Sequence, residues 1–312
     1  MSNLNQSPLY SIVIPVYRSE QIIEKTITRI IDISVLKDFN IELVLVNDGS
    51  PDNSWSIIET AAQNDSRIKA INLLKNYGQH TAVYCGIKES MGDFIITMDD
   101  DLQNPPEELH HLIEKIHEGY DLVFAEFNQK MHAGFRKLGT RLVSYLNNKI
   151  FGKPKDLKLT NFRIFTRATA NRLIAYKTNY PYIPGLLLMS ASKMANVKTE
   201  HHAREIGSSN YTLMRILKLM ARLLFNYSSY PLKMVSGAGI FISVMSFFAG
   251  LFFIAKSVFL GVDVEGWTTI VALLSFLCGF ILIMLGIMGE YLARIMNQLA
   301  SSEPYQIREI VG

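Results

Sequence analysis

The chain has 312 residues, 49% of them hydrophobic, and 31 basic against 28 acidic side chains give it a net charge of +3. The length suits one catalytic domain plus an appendage, and the only cysteines, Cys85 and Cys278, sit outside any metal or redox motif and exclude a disulfide framework. No acidic residue occurs between Glu205 and Asp263, where Arg215, Lys218, Arg222 and Lys233 fall; a basic block beside apolar sequence points to an anionic membrane surface rather than nucleic acid.

The N-terminal stretch MSNLNQSPLY is polar and has no signal-peptide profile, so the first part of the chain is expected in the cytoplasm. Over the first 125 residues, short β-rich runs alternate with amphipathic stretches. The runs are SIVIPV, IELVLV, IKAINL, DFIITM and DLVFA; the stretches are Glu20–Ile31, Asn53–Asn64 and Thr81–Ser90. This alternation predicts an α/β domain with a mainly parallel sheet. Such sheets bind ligands at the carboxyl ends of their strands, which here read PVY (Pro15–Tyr17), NDGS (Asn47–Ser50), KNYG (Lys75–Gly78) and DDD (Asp99–Asp101). No Gly-x-Gly-x-x-Gly follows the first run, so pyrophosphate would lack its glycine turn, which argues against a dinucleotide-binding domain.

The aspartates after FIITM carry the strongest chemistry. Extended backbone would put Asp99 and Asp101 on one face and turn Asp100 away, leaving Asp100 open to replacement. Two carboxylates on one side suit a hard cation such as magnesium, which completes its shell with water and substrate phosphate. The bland reading is a solvated acidic turn before a helix, and Asn104-Pro-Pro-Glu-Glu does predict an N-cap, a proline start and first-turn acids. That assigns Glu107 and Glu108 but not three aspartates. Asp48 could accept hydrogen bonds from a base or ribose, with Gly49 permitting close approach, although Asn-Asp-Gly-Ser is also good turn chemistry.

Residues 135–151 and 211–225 interleave apolar and basic residues at helical spacing, and Ser208 to Asn210 supply an N-cap for the second. Both predict helices in the membrane interface, though the first also fits an ordinary surface helix. Residues 234–255 and 268–289 are uncharged runs of 22 residues, each about 33 Å as a helix and long enough to span a bilayer core. Lys233 and Arg294 flank the outer ends while Asp263 and Glu265 lie between, so both termini are expected in the cytoplasm. His201-His202 reads as structural or acceptor-side rather than a metal pair, His110, His111 and His117 as solvated, and His80 as a helix start or donor neighbour.

VIPVY, VNDGS, NYGQH and MDDDLQNPPEEL, in this order and spacing, resemble the inverting GT-A glycosyltransferases of family two. The resemblance extends over the whole chain to the polyprenyl-phosphate branch, through FRK (Phe135–Lys137), NFRIFTR (Asn161–Arg167), AREIGSSNY (Ala203–Tyr211) and GEYLARI (Gly289–Ile295). It implies a GT-A domain over residues 1–207, an interfacial helix over 208–230, two membrane helices within 231–295, and a cytoplasmic tail over 296–312. Pro15, Tyr17, Asp48 and Asp99 would bind the nucleotide, and Asp101 with Asp99 would hold Mg2+ or Mn2+. Gln103 would lie near the donor sugar, and Arg204, Arg136, Lys137 and Arg163 would face the acceptor phosphate. Departures from the family pattern are Asn210, where relatives carry Lys, and Asn161, which leaves the Phe-Arg pair without its nearby carboxylate. A carboxylate base there is therefore in doubt.

The function this implies is transfer of one sugar from a nucleotide-sugar, with a UDP-sugar expected, to undecaprenyl or another polyprenyl phosphate, with inversion, for cell-envelope glycan modification. The enzyme would sit in the cytoplasmic (inner) membrane as a multi-pass protein and a homo-oligomer, a tetramer being one arrangement, with the tail adding a strand to a neighbour. Two rivals are a hydroxyl-acceptor transferase, disfavoured by the lack of a Gln-x-x-Arg-Trp motif, and a non-catalytic scaffold, disfavoured because the aspartates are present.

Overall fold

The computed structural model describes residues 7–127, 134–200, 213–260, 266–300 and 303–312. The chain forms two compact units, one of Met1–Leu213 with Ser301–Gly312 and the other of Met214–Ala300.

The first unit is built on one eight-stranded sheet of order β7-β5-β6-β4-β1-β2-β3-β8. All five expected runs are strands: β1 (Tyr10–Val16), β2 (Ile41–Asn47), β3 (Ile68–Leu73), β4 (Phe94–Thr97) and β5 (Leu122–Phe127). β1 to β4 pair in parallel. Their apolar runs are continuous because helices cover them, so β1 is buried along its whole length. Helix α1 (Ile23–Leu36) starts later than its periodicity suggests, α2 (Ser54–Asn64) packs on β3, and α3 (Gln79–Glu89) packs on β1 and β2. A Cβ at Gly86 of α3 would collide with Val13 Cγ1, so the missing side chain lets the helix lie close to the sheet.

Three strands lie outside the expected alternation. β6 (Arg163–Thr166) inserts antiparallel between β4 and β5, with Thr97 opposite Arg163. β8 (Ile307–Val311) pairs antiparallel with β3. The tail, expected to extend a neighbour's sheet, thus extends the sheet of its own chain. β7 (Met194–Thr199) closes the other edge. After the aspartates, Pro106–Glu108 form one 3-10 turn leading into α4 (Leu109–His117). Asn104 makes no cap; it is buried, and its Oδ1 has no partner among the described residues. Glu107 pairs with Arg29 at 2.7 Å, and His117, expected to be solvated, bonds the Tyr10 hydroxyl at 2.8 Å. Helices α5 (Gly134–Phe151), α6 (Arg167–Ala175) and α7 (Ile183–Ser190) complete the unit.

The second unit holds α8 (Leu213–Tyr227), α9 (Tyr230–Leu260) and α10 (Trp267–Ala300). Lys218 and Arg222 of α8 are exposed, as an amphipathic helix requires. The expected spans fall inside α9 and α10. Among the described residues one window, Phe276–Ala293, is long and apolar enough to cross a membrane, with a mean hydropathy of 2.0. The Ser208–Asn210 cap, His201-His202, Asp263 and Glu265 lie outside the described residues.

Candidate active site

The carboxyl ends of the parallel strands lie along one edge of the sheet, and loops that follow them bound a cavity of about 400 Å3 lined by Tyr17, Arg18, Ser19, Glu20, Pro51, Asp52, Asp100 and Asp101, among others. Pro15 sits inside β1, opposite Val46. Tyr10 and Val16 make backbone bonds toward the β2 side, so alternation turns the Pro15 nitrogen toward β4, which has already ended at Thr97. A residue without an N–H is tolerated there. Tyr17 is 42% exposed and Arg18 lies 5.4 Å over its ring. The backbone is left-handed at Arg18 (φ 57°), which lines the cavity, and at Leu102 (φ 55°), the residue after Asp101. Such non-glycine conformations store of order 1–3 kcal/mol and cluster at functional sites.

Because β4 stops at Thr97, strand alternation does not extend to the aspartates. Asp99 and Asp101 therefore do not share a face as expected. Asp99 faces a second, much smaller cavity shared with Gln79, His80, Asn161 and Arg163. Its Oδ1 accepts from Gln79 Nε2 at 2.6 Å, and Asn161 Nδ2 donates to both of its oxygens at 3.3 and 3.1 Å. Asn161, noted in the sequence only as a missing carboxylate, is thus a donor to Asp99. Asp100 does not turn away into solvent either. It accepts a hydrogen bond from Ser19 Oγ, its backbone carbonyl accepts from Thr26 Oγ1 at 2.9 Å, and its side chain lines the main cavity. Burial pushes its carboxyl up to about 7, opposed by the Ser19 bond and reinforced by the charges of Asp99 and Asp101. Asp101 lines the same cavity and accepts from the Gln103 backbone N–H at 3.2 Å.

Asp48 is only 2% exposed. Its two oxygens accept from the backbone N–H groups of Tyr77 (2.7 Å) and Gly78 (2.9 Å), which fixes the β3–α3 loop. Burial raises its pKa, and these two bonds partly offset that. The close approach at Gly49 (φ 60°) is made by the chain itself: a Cβ there would lie 2.5 Å from the Lys75 carbonyl carbon. Asp52 gathers Ser50 Oγ at 2.7 Å, Ser54 Oγ at 2.6 Å and the Glu20 N–H at 3.3 Å. Burial opposes its charge, but these bonds outweigh it and hold its pKa below the usual value. Ser19 and Asp52 were missed in the sequence; the Ser-x-Asp-x-Ser spacing of Ser50, Asp52 and Ser54 is the signal that could have found Asp52.

Arg163, expected at the acceptor phosphate, is 1% exposed. Its Nε bonds Thr97 Oγ1 at 2.9 Å, and its Nη1 has no partner among the described residues. Burial pushes its guanidinium down to about 10, opposed by Asp99 and Tyr182. It stands behind Asp99 and is sealed from a lipid headgroup. Arg204 and the side chains of Arg136 and Lys137 lie outside the described residues.

Among the described residues no three His, Cys, Asp or Glu side chains converge on one point. Asp100 and Asp101, adjacent at the cavity wall, are nevertheless the kind of carboxylate pair that a hard, water-bearing cation takes, and a cation there would offset the repulsion that Asp99 and Asp101 impose on Asp100. The donor set fits Mg2+ or Mn2+.

A mostly parallel sheet with an acidic cavity at its carboxyl edge and an antiparallel strand beside the aspartate-bearing β4 defines a GT-A fold. Solved structures of glucosyl-3-phosphoglycerate synthase from Mycobacterium tuberculosis share it: the complex with Mn2+, UDP and phosphoglyceric acid has a TM-score of 0.51 and 18% identity, covering 70% of this chain and 77% of that one. The chain belongs to glycosyl transferase family 2, whose profile matches residues 11–177, and it is a glycosyltransferase. It is 32% identical to the undecaprenyl-phosphate 4-deoxy-4-formamido-L-arabinose transferase of Proteus mirabilis, over 100% of this chain and 97% of that protein. The protein of the same name from Yersinia pestis (strain Pestoides F) is 33% identical, over 97% of this chain and 93% of that protein.

Proposed function

We propose that this enzyme transfers a single sugar from a nucleotide-sugar, expected to be a UDP-sugar, to undecaprenyl or another polyprenyl phosphate, with inversion at the sugar. The observation that carries this reading is similarity over the whole chain, helices α8 to α10 included, to transferases named for undecaprenyl phosphate. Tyr17 with the Arg18–Ser19 turn and Pro51–Asp52 would enclose the nucleotide. Asp101, with Asp100 beside it, would hold the divalent ion, and Asp99, fixed by Gln79 and Asn161, would keep its charge at the sugar side. A bound Mg2+ or Mn2+ supplies Lewis-acid stabilisation of the departing nucleoside diphosphate.

The acceptor needs no protein base. A phosphate monoester has a second pKa of about 6 and is largely anionic at neutral pH, so Asn161 in place of a carboxylate costs the reaction nothing. A hydroxyl acceptor would need a base. Arg204, Arg136 and Lys137 are proposed to counter the acceptor charge; Arg163, sealed behind Asp99, is not. Helices α9 and α10 are proposed as a two-span anchor in the cytoplasmic membrane, with both termini in the cytoplasm and the chain in a homo-oligomer.

The test is incubation of the purified protein with a panel of nucleotide-sugars and undecaprenyl phosphate, with and without EDTA. A lipid-linked sugar that forms with one donor and disappears in EDTA is expected. No product with any donor would sink the reading, and equal product in EDTA would remove the metal from it.

A further inference from the structure

The last strand lies at the sheet edge, yet one of its side chains connects to the cavity. Asn72 of β3 stands opposite Glu309 of β8, and Asn72 Nδ2 donates to Glu309 Oε1 at 2.9 Å. Asn72 Oδ1 in turn accepts from Asn47 Nδ2 at 2.9 Å, and both amides are buried. Asn47 Oδ1 accepts the Ser50 backbone N–H at 3.3 Å. Ser50 Oγ accepts the Arg18 backbone N–H at 2.6 Å, leaving its own proton for Asp52. Arg18 and Asp52 both line the main cavity.

We propose that Glu309 is a positioning residue for the rim of that cavity, acting through the hydrogen-bond chain Asn72–Asn47–Ser50 to the left-handed turn at Arg18. This rests on the reading of the cavity as a nucleotide site.

The direction of the chain carries the argument. An ionised carboxylate can only accept. Glu309 therefore obliges Asn72 to present its NH2 to β8 and its carbonyl to β2. Asn47 must then present its NH2 to Asn72, which leaves its carbonyl as the one acceptor for the Ser50 N–H. The three links from Ser50 N–H to Asn47, Asn47 to Asn72 and Asn72 to Glu309 all donate toward the C-terminal strand, and links aligned this way polarise one another. One charge on the final strand thereby sets two buried amide orientations and holds Ser50 where it can accept from Arg18. That bond is the one made by the Arg18 amide itself; the following residues are held separately, Ser19 N–H by Ser54 Oγ at 2.9 Å, Ser19 Oγ by Asp100 and Glu20 N–H by Asp52 at 3.3 Å. Other tail contacts share the docking but not the chain. Arg308 Nη2 reaches Leu74 O at 3.4 Å, Lys88 pairs with Glu303 at 2.6 Å, and Tyr305 packs edge-on against Tyr84.

The experiment uses the full-length protein in detergent, with UDP plus Mn2+ as the probe, and compares Glu309→Lys, Glu309→Gln and Arg308→Ala. A lysine can only donate, so it reverses the demand on Asn72 and drives a donor–donor mismatch to Ser50. An exposed strand edge tolerates the new side chain. For Glu309→Lys the expected result is about tenfold weaker UDP binding, together with faster hydrogen exchange at the Ser50 and Arg18 amides. Glu309→Gln keeps an acceptor oxygen and Arg308→Ala leaves the chain whole, so both are expected to match the parent. If Glu309→Lys does not fold, Glu309→Ala, which only deletes the acceptor, is expected to show the same two changes at smaller size. Unchanged exchange at Ser50 and Arg18 in Glu309→Lys or Glu309→Ala would overturn the proposal. So would an equal loss in Arg308→Ala, which would assign the effect to tail docking as a whole. If the parent fails to bind UDP, the nucleotide reading fails instead, and the exchange arm still decides the chain.

Discussion

The tips of β2 and β4 both place aspartates on the same sheet edge, but the protein uses them differently. At the β2 tip, Asp48 is sealed and spends both oxygens on backbone N–H groups of the next loop. At the β4 tip, Asp99 and Asp100 meet side chains, Gln79 and Asn161 on one side and Ser19 on the other, while Asp101, beyond one bond from the Gln103 N–H, lines the open cavity. Backbone donors cannot leave, so a carboxylate tied to them is part of the scaffold. Side-chain donors and an open cavity leave lone pairs that a substrate or an ion can take up. Asp121 completes the contrast. It too accepts from two backbone N–H groups, those of Ser192 and Lys193 at 2.9 Å each. Its pKa is lowered, chiefly by the Lys193 bond, whereas burial raises that of Asp48.

The comparison breaks most visibly in activity. Asp101→Asn is expected to lower sugar transfer by about a hundredfold or more, since it weakens the proposed metal site, while thermal unfolding stays near the parent. If turnover persists, Asp101 is not a metal ligand. Asp48→Ala is expected to act in the reverse order. It strands two buried N–H groups, each worth about 1–3 kcal/mol, so urea unfolding should shift by several kcal/mol before any effect on catalysis is read. Gly49→Ala should cost about 1–3 kcal/mol, because its Cβ has no room beside Lys75 and Asn76. A parent-like urea midpoint would show that the loop yields freely.

The smallest effect is on pH. A lowered folded pKa makes Asp121 stabilising above its unfolded value, and that stability is lost as pH falls through the folded value. A raised one gives Asp48 the opposite sign, its stability being present below the unfolded value and lost as pH rises through the folded one. Asp121→Asn should therefore flatten the acid limb of a melting-temperature profile below about pH 4, by a few tenths of a kcal/mol after solvent screening. A steeper acid limb would contradict the assignment.

What the sequence determined by itself is the layout: five strand runs, the helices between them, the strand ends as the candidate site, and a family resemblance that the family profile bears out. These rest on local periodicity and on motifs read residue by residue. Only the tertiary structure decided where the aspartates point, because alternation holds only while the ladder continues and β4 ends two residues before Asp99. It also decided that Gly49 makes room for the chain's own backbone, and that Arg163 stands sealed behind Asp99. β6 is four residues long, and β8 pairs with a strand more than two hundred residues away. Neither carries a local pattern long enough to announce its partner. The bond from Asn72 to Glu309 exists only because folding laid the end of the chain against β3.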